Sequence, residues 1–366
     1  MKKRVAVLGA TGSIGKSAID ILSKDRDSFD VVLLTAHRDF AALERLSALW
    51  PSALCLLAGG EGGRERLLAA ILQAGADITI NGIAGAAGLE PSLAAMQGGG
   101  SLALANKETI VMAAPLVFKL AAEKNAAVIP VDSEHSAVFN ILKAHGRENV
   151  AGIILTASGG PFRRATLEEM ERASPHDALA HPTWNMGAKI SIDSATMANK
   201  GLELIEAAYF FNLPQEKIEV TVHRQSIVHS MVRFVNGAIY AQLSKPDMRH
   251  PIHDALYWPS TVSSGLEPLS FDNLTLEFEK PDLQKFPMLS LARNATGEGG
   301  LYPCAYNAAN EVAVEAFLAE RIGFLDIPRI VAAVLEKDWK CAPCDLPTVL
   351  AADKAARRAA LTAGRL

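Results

Sequence analysis

The chain has 366 residues, 49% of them hydrophobic and 21% charged, an ordinary globular balance with length for two or three domains. A net charge of −4 leaves no domain-wide basic field to neutralise phosphates. That argues against nucleic acid as the main partner, though not against a small anion held locally. Four cysteines, Cys55, Cys304, Cys341 and Cys344, make no disulfide framework, and no apolar run reaches bilayer-spanning length, so no membrane partner is expected.

The start, MKKRVAVLGATGSIG, enters a strand after four residues; no signal or transit peptide is expected, and a reduced, cytoplasmic setting is. RVAVLGATGSIGKSAIDILSK reads as strand, glycine turn and helix. Gly9 permits the tight turn, Gly12 lets backbone approach a pyrophosphate, and Gly15 lets the helix pack on the sheet, its N-terminus facing the phosphates. Thr11 and Ser13 add hydroxyl donors. After the next strand, FDVVLLTA, come His37 and Arg38, then Asp39. An acid ending this strand suits NAD, whereas a guanidinium suits a 2′-phosphate; Arg38 coming first favours NADP.

Strand-like runs ALCLL, ADITING, GGGSLALANKET and NAAVIPVDSE follow, separated by helix-like segments. This is the rhythm of an α/β, doubly wound parallel sheet, whose ligands lie beyond the carboxyl ends of the strands. Asn106, Lys107 and Glu108 stand at one such end, and Asp132, Ser133 and Glu134 at another. Polar helix starts would look the same. In VIPVDSEHSAVFNIL, carboxylates two apart in an extended segment point the same way and call for a cation or a shared proton between them. The alternative is a helix N-cap by Asp132 or Ser133, with Glu134 in the first turn. The stretch alone leaves both open.

Ser158-Gly159-Gly160-Pro161 reads as a hinge before a long polar segment that carries His181, Trp184 and Met186. That segment is either a lid that excludes water from substrate or a surface helix anchored by its Trp. In SIDSATMANKGLELIEAAYFF, Ser194, Asn199 and Lys200 supply donors for an anion at a helix start. Glu203 lies one turn beyond Lys200 on a mostly apolar helix, and a buried acid needs a partner. It is a candidate third carboxylate for Asp132 and Glu134. Three carboxylates suit a hard ion, Mg²⁺ or Mn²⁺, able to polarise a carbonyl and stabilise a neighbouring alkoxide.

TVHRQSIVHSMVRFVNGAIYAQLS alternates as antiparallel strands with an Asn236-Gly237 turn. Residues 258–283 read as a linker crossing the molecule, and the rest as a small helical bundle. Cys341-Ala-Pro-Cys344 has redox spacing but follows no strand, and is read as incidental.

Nearly the whole chain resembles the 1-deoxy-D-xylulose 5-phosphate reductoisomerase family, through GATGSIG, LANKE, PVDSEHSA, SGGPF, HPTWNMG, SIDSATMANKGLELIEA, VHRQSIVHSMV, PDMRHPI and NAANEVAVEAF. PVDSEH with NKGLE is the specific combination; GATGSIG also occurs in semialdehyde dehydrogenases. Those enzymes need a nucleophilic cysteine, for which no cysteine here has a suitable context. An NADPH-binding regulator without catalysis would not need the third carboxylate and the lid together.

The resemblance implies a Rossmann-type NADPH domain (1–131), a central α+β catalytic and dimerisation domain (132–257), a linker (258–283) and a helical bundle (284–366). It implies metal binding by Asp132, Glu134 and Glu203, and substrate contacts from Ser133, Ser158, His181, Trp184, Met186, Ser194, Asn199, Lys200 and Glu203. NADPH would meet Gly9, Thr11, Gly12, Ser13, Ile14, Ala36, His37, Arg38, Asn106, Lys107, Glu108, Gly187 and Met248. Lys200, Glu134 and His229 are the implied catalytic residues, although His229 on an apolar strand also fits a satisfied core histidine. The implied reaction, in a cytoplasmic homodimer, rearranges an α-hydroxyketone sugar phosphate to a branched aldehyde and reduces it with NADPH.

Overall fold

Valine, isoleucine and leucine fill the strands of the first sheet with little alternation, because both its faces are covered. Val5 to Leu8, Leu33, Leu34, Ile80 and Leu102 are fully buried. In this computed structural model, which describes residues 1–184 and 186–366, strands β1 (Lys3–Leu8), β2 (Phe29–Ala36), β3 (Leu54–Leu57), β4 (Ile78–Asn81), β5 (Ser101–Leu104) and β6 (Val128–Pro130) pair in parallel. Their order is β3-β2-β1-β4-β5-β6. Helices α1 (Ser13–Lys24), α2 (Phe40–Leu49), α3 (Gly63–Ala74), α4 (Leu89–Gln97) and α5 (Lys107–Lys124) connect them. The order reverses between β1 and β4, the crevice where doubly wound sheets bind ligands.

By contacts the chain forms two compact units. The first is Met1–Thr109, Val117–Ser136 and Asp247–Leu266; the second is Ile110–Leu116, Ala137–Pro246 and Glu267–Leu366. Pro115 inside α5 cannot donate a helical hydrogen bond, and the helix kinks there, with Ala113 at φ −148° and ψ 31°. Helix α6 (Ser133–His145) starts three residues after β6.

The second unit holds β7 (Val150–Ala157), α7 (Leu167–Glu171), α8 (Pro175–Leu179), α9 (Ala188–Ala195), α10 (Ala198–Phe210), β8 (Ile218–Val222), β9 (Val228–Phe234) and β10 (Ile239–Leu243), its sheet ordered β10-β9-β7-β8. In this stretch β9 pairs antiparallel with β10, joined through Asn236-Gly237, and with β7, whereas β8, just ahead of it, pairs with β7 in parallel. The intervening helices carry the chain back to the start of the sheet, so β8 re-enters in the direction of β7. Helix α11 (Arg249–Tyr257) belongs to the first unit.

Helices α12 (Pro287–Glu298), α13 (Tyr302–Leu318), α14 (Asp326–Leu335) and α15 (Leu346–Gly364) form the helical C-terminal region. Ala305, Ala308, Ala309, Ala313 and Ala316 of α13 are buried; such small side chains let neighbouring helices come close on all sides. The segment ahead of them is irregular but pinned. His223 Nδ1 bonds Glu277 O at 2.8 Å, Gln225 Nε2 donates to Thr275 O at 3.0 Å, and Val222 pairs with Glu279.

Candidate active site

The glycine turn after β1 stands at the reversal of strand order. Gly9 has φ +75°, and a Cβ there would stand 3.1 Å from Gly82 O, at the end of β4. A Cβ on Gly15 would meet Gly9 O at 2.4 Å, so α1 reaches the turn only with glycine there. The N-cap of α1 is Gly12, which has no side chain to engage the first amide N–H groups. Those donors and the positive helix end suit a phosphate. Thr11 and Ile14 are half-buried beside it, and Ser13 is exposed.

At the end of β2, Ala36 is buried and His37 and Arg38 are exposed. Asp39, the acid that complicates the choice of dinucleotide, caps α2 by accepting from Ala42 N at 3.0 Å. Asn106 caps α5, accepting from Thr109 N at 2.9 Å and donating to Ile83 O and Gly85 O at 2.7 and 2.9 Å. Its side chain thus ties two strand ends together. Asn106 Nδ2 also donates to buried Glu108 at 3.0 Å. On α11, Arg249 pairs with Asp247 and reaches Asp20 of α1 at 3.2 Å, which holds half-buried Met248 beside α1.

Asp132 and Glu134 do not converge as neighbours on a strand. Helix α6 starts at Ser133, and Asp132 is its cap: Oδ1 accepts from Glu134 N at 3.2 Å. The strand argument fails because β6 ends at Pro130. Asp132, not Ser133, makes the cap contact, while Ser133 Oγ donates to Glu134 Oε2 at 2.6 Å. Asp132 has two further partners that spacing did not single out, Lys107 Nζ at 2.6 Å and His135 Nδ1 at 3.2 Å. For His135 the D-S-E-H spacing was a usable signal.

In the second unit, Ser158 follows β7 and its Oγ lies 2.9 Å from His181 Nε2. His181 Nδ1 accepts from Thr183 N at 3.1 Å and Trp184 N at 2.9 Å. That leaves the proton on Nε2, which donates to Ser158 in the neutral ring. Burial holds the imidazole below its ordinary pKa. A Cβ on Gly160 would stand 2.7 Å from Ser194 O, so Gly160 lets the end of β7 meet the end of α9. Gly187 caps α9 in extended conformation, next to half-buried Trp184 and Met186.

The turn from α9 to α10 runs through Met197 at φ 61°, three residues after Ser194 and two before Asn199. There Asn199 and Lys200 both donate to Glu203. Lys200 is 5% and Glu203 1% exposed, so the acid has the charge partner its burial demands. His229 is buried on β9 with Nε2 2.8 Å from Ser244 Oγ, which donates onward to Lys245 O. That agrees with a satisfied core histidine.

The sheet order and its glycine turn define a dinucleotide-binding α/β protein, with an anion-suited corner on its second unit. Comparison with known proteins narrows the class. The family model 1-deoxy-D-xylulose 5-phosphate reductoisomerase matches residues 5–61 and 59–114, that family's C-terminal domain model residues 128–211, and a DXP reductoisomerase C-terminal domain model residues 243–359. A relative of that name from Chlorobium chlorochromatii is 46% identical over 98% of this chain and 99% of its own. One from Zymomonas mobilis is 46% identical over 97% of this chain and 96% of its own. The solved Zymomonas mobilis reductoisomerase in complex with NADPH superposes with a TM-score of 0.92 at 42% identity, covering 100% of this chain and 99% of that one. A DOX-P reductoisomerase with NADPH, fosmidomycin and magnesium gives 0.91 at 38%, covering 100% and 98%. The chain belongs to the 1-deoxy-D-xylulose 5-phosphate reductoisomerase family.

Proposed function

We infer that the protein converts 1-deoxy-D-xylulose 5-phosphate to 2-C-methyl-D-erythritol 4-phosphate, with NADPH and a divalent metal, in isoprenoid precursor synthesis. The observation that carries the reading is the head of α10. Lys200 and Asn199, donors for an anionic substrate, and Glu203, an acid for a metal, share one buried helical turn.

Asp132, Glu134 and Glu203 are the assigned ligands of Mg²⁺ or Mn²⁺. Asp132 and Glu134 stand at the start of α6 and Glu203 on α10, and an all-carboxylate donor set fits a hard cation. Such an ion, when bound, polarises the substrate carbonyl and stabilises the adjacent alkoxide. NADPH supplies the hydride, and the turn at Gly9, Gly12 and Gly15 receives its pyrophosphate. Arg38 takes the 2′-phosphate, a role favoured because Asp39 is engaged as a helix cap.

Ser158, His181, Ser194, Asn199 and Lys200 bind the substrate, the first four as neutral donors and Lys200 as the cation. His181, Trp184 and Met186 belong to the lid; the bond from His181 to Ser158 is what it exchanges for substrate. Glu134, Lys200 and His229 are the proposed catalytic residues, with His229 Nε2 held 2.8 Å from Ser244 Oγ. The working form is a cytoplasmic homodimer. The sheet edge β10 exposes Ile239 at 48% and Tyr240 at 42%, and such an edge calls for a partner strand or cover. Among the described residues no helix is long and apolar enough to cross a membrane.

NADPH absorbance with 1-deoxy-D-xylulose 5-phosphate, with and without Mn²⁺, tests the reading in the parent and in Glu203→Gln. Metal-dependent oxidation in the parent, lost in the variant, is expected. No oxidation by a folded, NADPH-binding parent would overturn the assignment.

A further inference from the structure

Helix α13 makes a buried polar contact that the proposed chemistry does not use. Asn310 Nδ2 donates to Asp193 Oδ1 on α9 at 2.7 Å, and Lys189, one turn earlier on α9, places Nζ 2.8 Å from Asp193 Oδ2. Asn310 is 0% and Asp193 1% exposed. A carboxylate this far from water is tolerated only when both its oxygens are paired, so this geometry is strongly specified.

One turn before Asn310 on the same helix, Tyr306 is fully buried and its hydroxyl donates to Met288 O at 3.2 Å. Burial, and after it the charge of Asp193, pushes the phenol well above its ordinary pKa, so it remains a donor. Its oxygen occupies space left open by Gly201 of α10: a Cβ there would stand 2.5 Å from Tyr306 Oη and 2.8 Å from Ala292 Cβ. Helix α13 therefore touches α9 at the residue before Ser194 and α10 at the residue after Lys200. Between the two contacts the chain turns through Met197, buried at 2%.

We propose that Asp193, Asn310 and Tyr306 are positioning residues: from behind, they fix the angle between α9 and α10, and so the spacing of Ser194 from Asn199 and Lys200 that phosphate recognition requires. The inference rests on the reading of that corner as the substrate's phosphate pocket.

The test is steady-state kinetics of the full chain carrying Asn310→Ala or Tyr306→Phe, with Val334→Ala as a cavity control in α14 that removes no polar group. A misplacement of one donor by a fraction of an ångström is expected to raise KM for the sugar phosphate roughly tenfold in Asn310→Ala and about threefold in Tyr306→Phe. KM for NADPH should stay within about twofold, and Val334→Ala should melt earlier with both KM values unchanged. An unchanged sugar-phosphate KM in folded Asn310→Ala overturns the proposal, as does an equal rise in Val334→Ala. An inactive parent would count against the proposed reaction instead. The stabilisation of the parent by inorganic phosphate then carries the test: its loss in Asn310→Ala supports the proposal, and its retention overturns it.

Discussion

Lys107 Nζ stands 2.6 Å from Asp132 Oδ2, with the two side chains 6% and 12% exposed. The ammonium arrives from the start of α5 and the carboxylate from the start of α6, so adjacent strands β5 and β6 deliver opposite charges to one point. Removing Lys107 takes away a buried cation and leaves Asp132 its contacts to Glu134 N and His135, at a cost of up to about 3 kcal/mol.

Lys107→Met should therefore lower the melting temperature in metal-free buffer. If Asp132 is a ligand, Mn²⁺ should restore more stability to the variant than it adds to the parent, because the ion replaces the missing charge. Thermal melts of both proteins across a Mn²⁺ series decide this, and equal increments would refute it.

Gly15→Ala should damage nucleotide binding more than stability. The new Cβ would lie 2.4 Å from Gly9 O and 2.5 Å from Ala10 C. Helix α1 must then retreat from the turn, at about 2 kcal/mol of overpacking. Fluorescence titration should show NADPH affinity reduced by roughly tenfold or more. Unaltered affinity in a folded variant would show that the close approach is not needed for binding.

Asp39 separates two roles cleanly. As cap of α2 it accepts from Ala42 N; asparagine caps as well, whereas alanine costs about 1 kcal/mol. Asp39→Asn should keep the parent's melting temperature, and Asp39→Ala should lose a few degrees. Both should favour NADPH over NADH more strongly, because a negative charge near the 2′-phosphate is gone. A constant ratio of kcat/KM for the two nucleotides in either variant would place Asp39 away from that phosphate.

Acid should loosen the pinned segment 275–279. His223 bonds Glu277 O through Nδ1 and accepts from Ile227 N and Val228 N at Nε2, at 3.2 and 3.1 Å. Burial, only partly opposed by the bond to Glu277, holds its pKa below the ordinary 6.5. An unfolded chain takes up that proton near 6.5 and the folded chain only at lower pH. Stability from neutral His223 is thus complete above 6.5 and falls as pH drops below it. His181 and His250 shift the same way, chiefly through burial, so the parent's slope is a sum. Melts of His223→Gln between pH 7.5 and 5.5 (values chosen about 1 unit either side of the ordinary pKa) should show a smaller decline than the parent. An identical decline would remove His223 from the acid response.

Much of the site could be read in the chain because its parts are local. The run from Arg4 to Lys24 contains the strand, the glycine turn and the helix that it needs, and Gly15 fails sterically against Gly9 O and Ala10, only a few residues away, whereas the neighbour of Gly9 is the distant Gly82. Likewise Lys200 and Glu203 sit one helical turn apart, so their pairing follows from helix periodicity. Misreadings arose where local pattern underdetermines geometry. DSEH reads equally as strand end or helix cap, and alternation alone does not say which strand a neighbour pairs with.

By itself, then, the sequence determined the doubly wound sheet, the glycine turn after its first strand, the acids just past the strand ends and the polar residues of α10, since each needs only short-range spacing. The tertiary structure decided which partners those groups receive. Lys107 meets Asp132 across 25 residues and Asn310 meets Asp193 across 117. No periodicity encodes such contacts; they exist because strand order and helix packing bring distant segments together, and because a buried charge must find a partner wherever the fold supplies one.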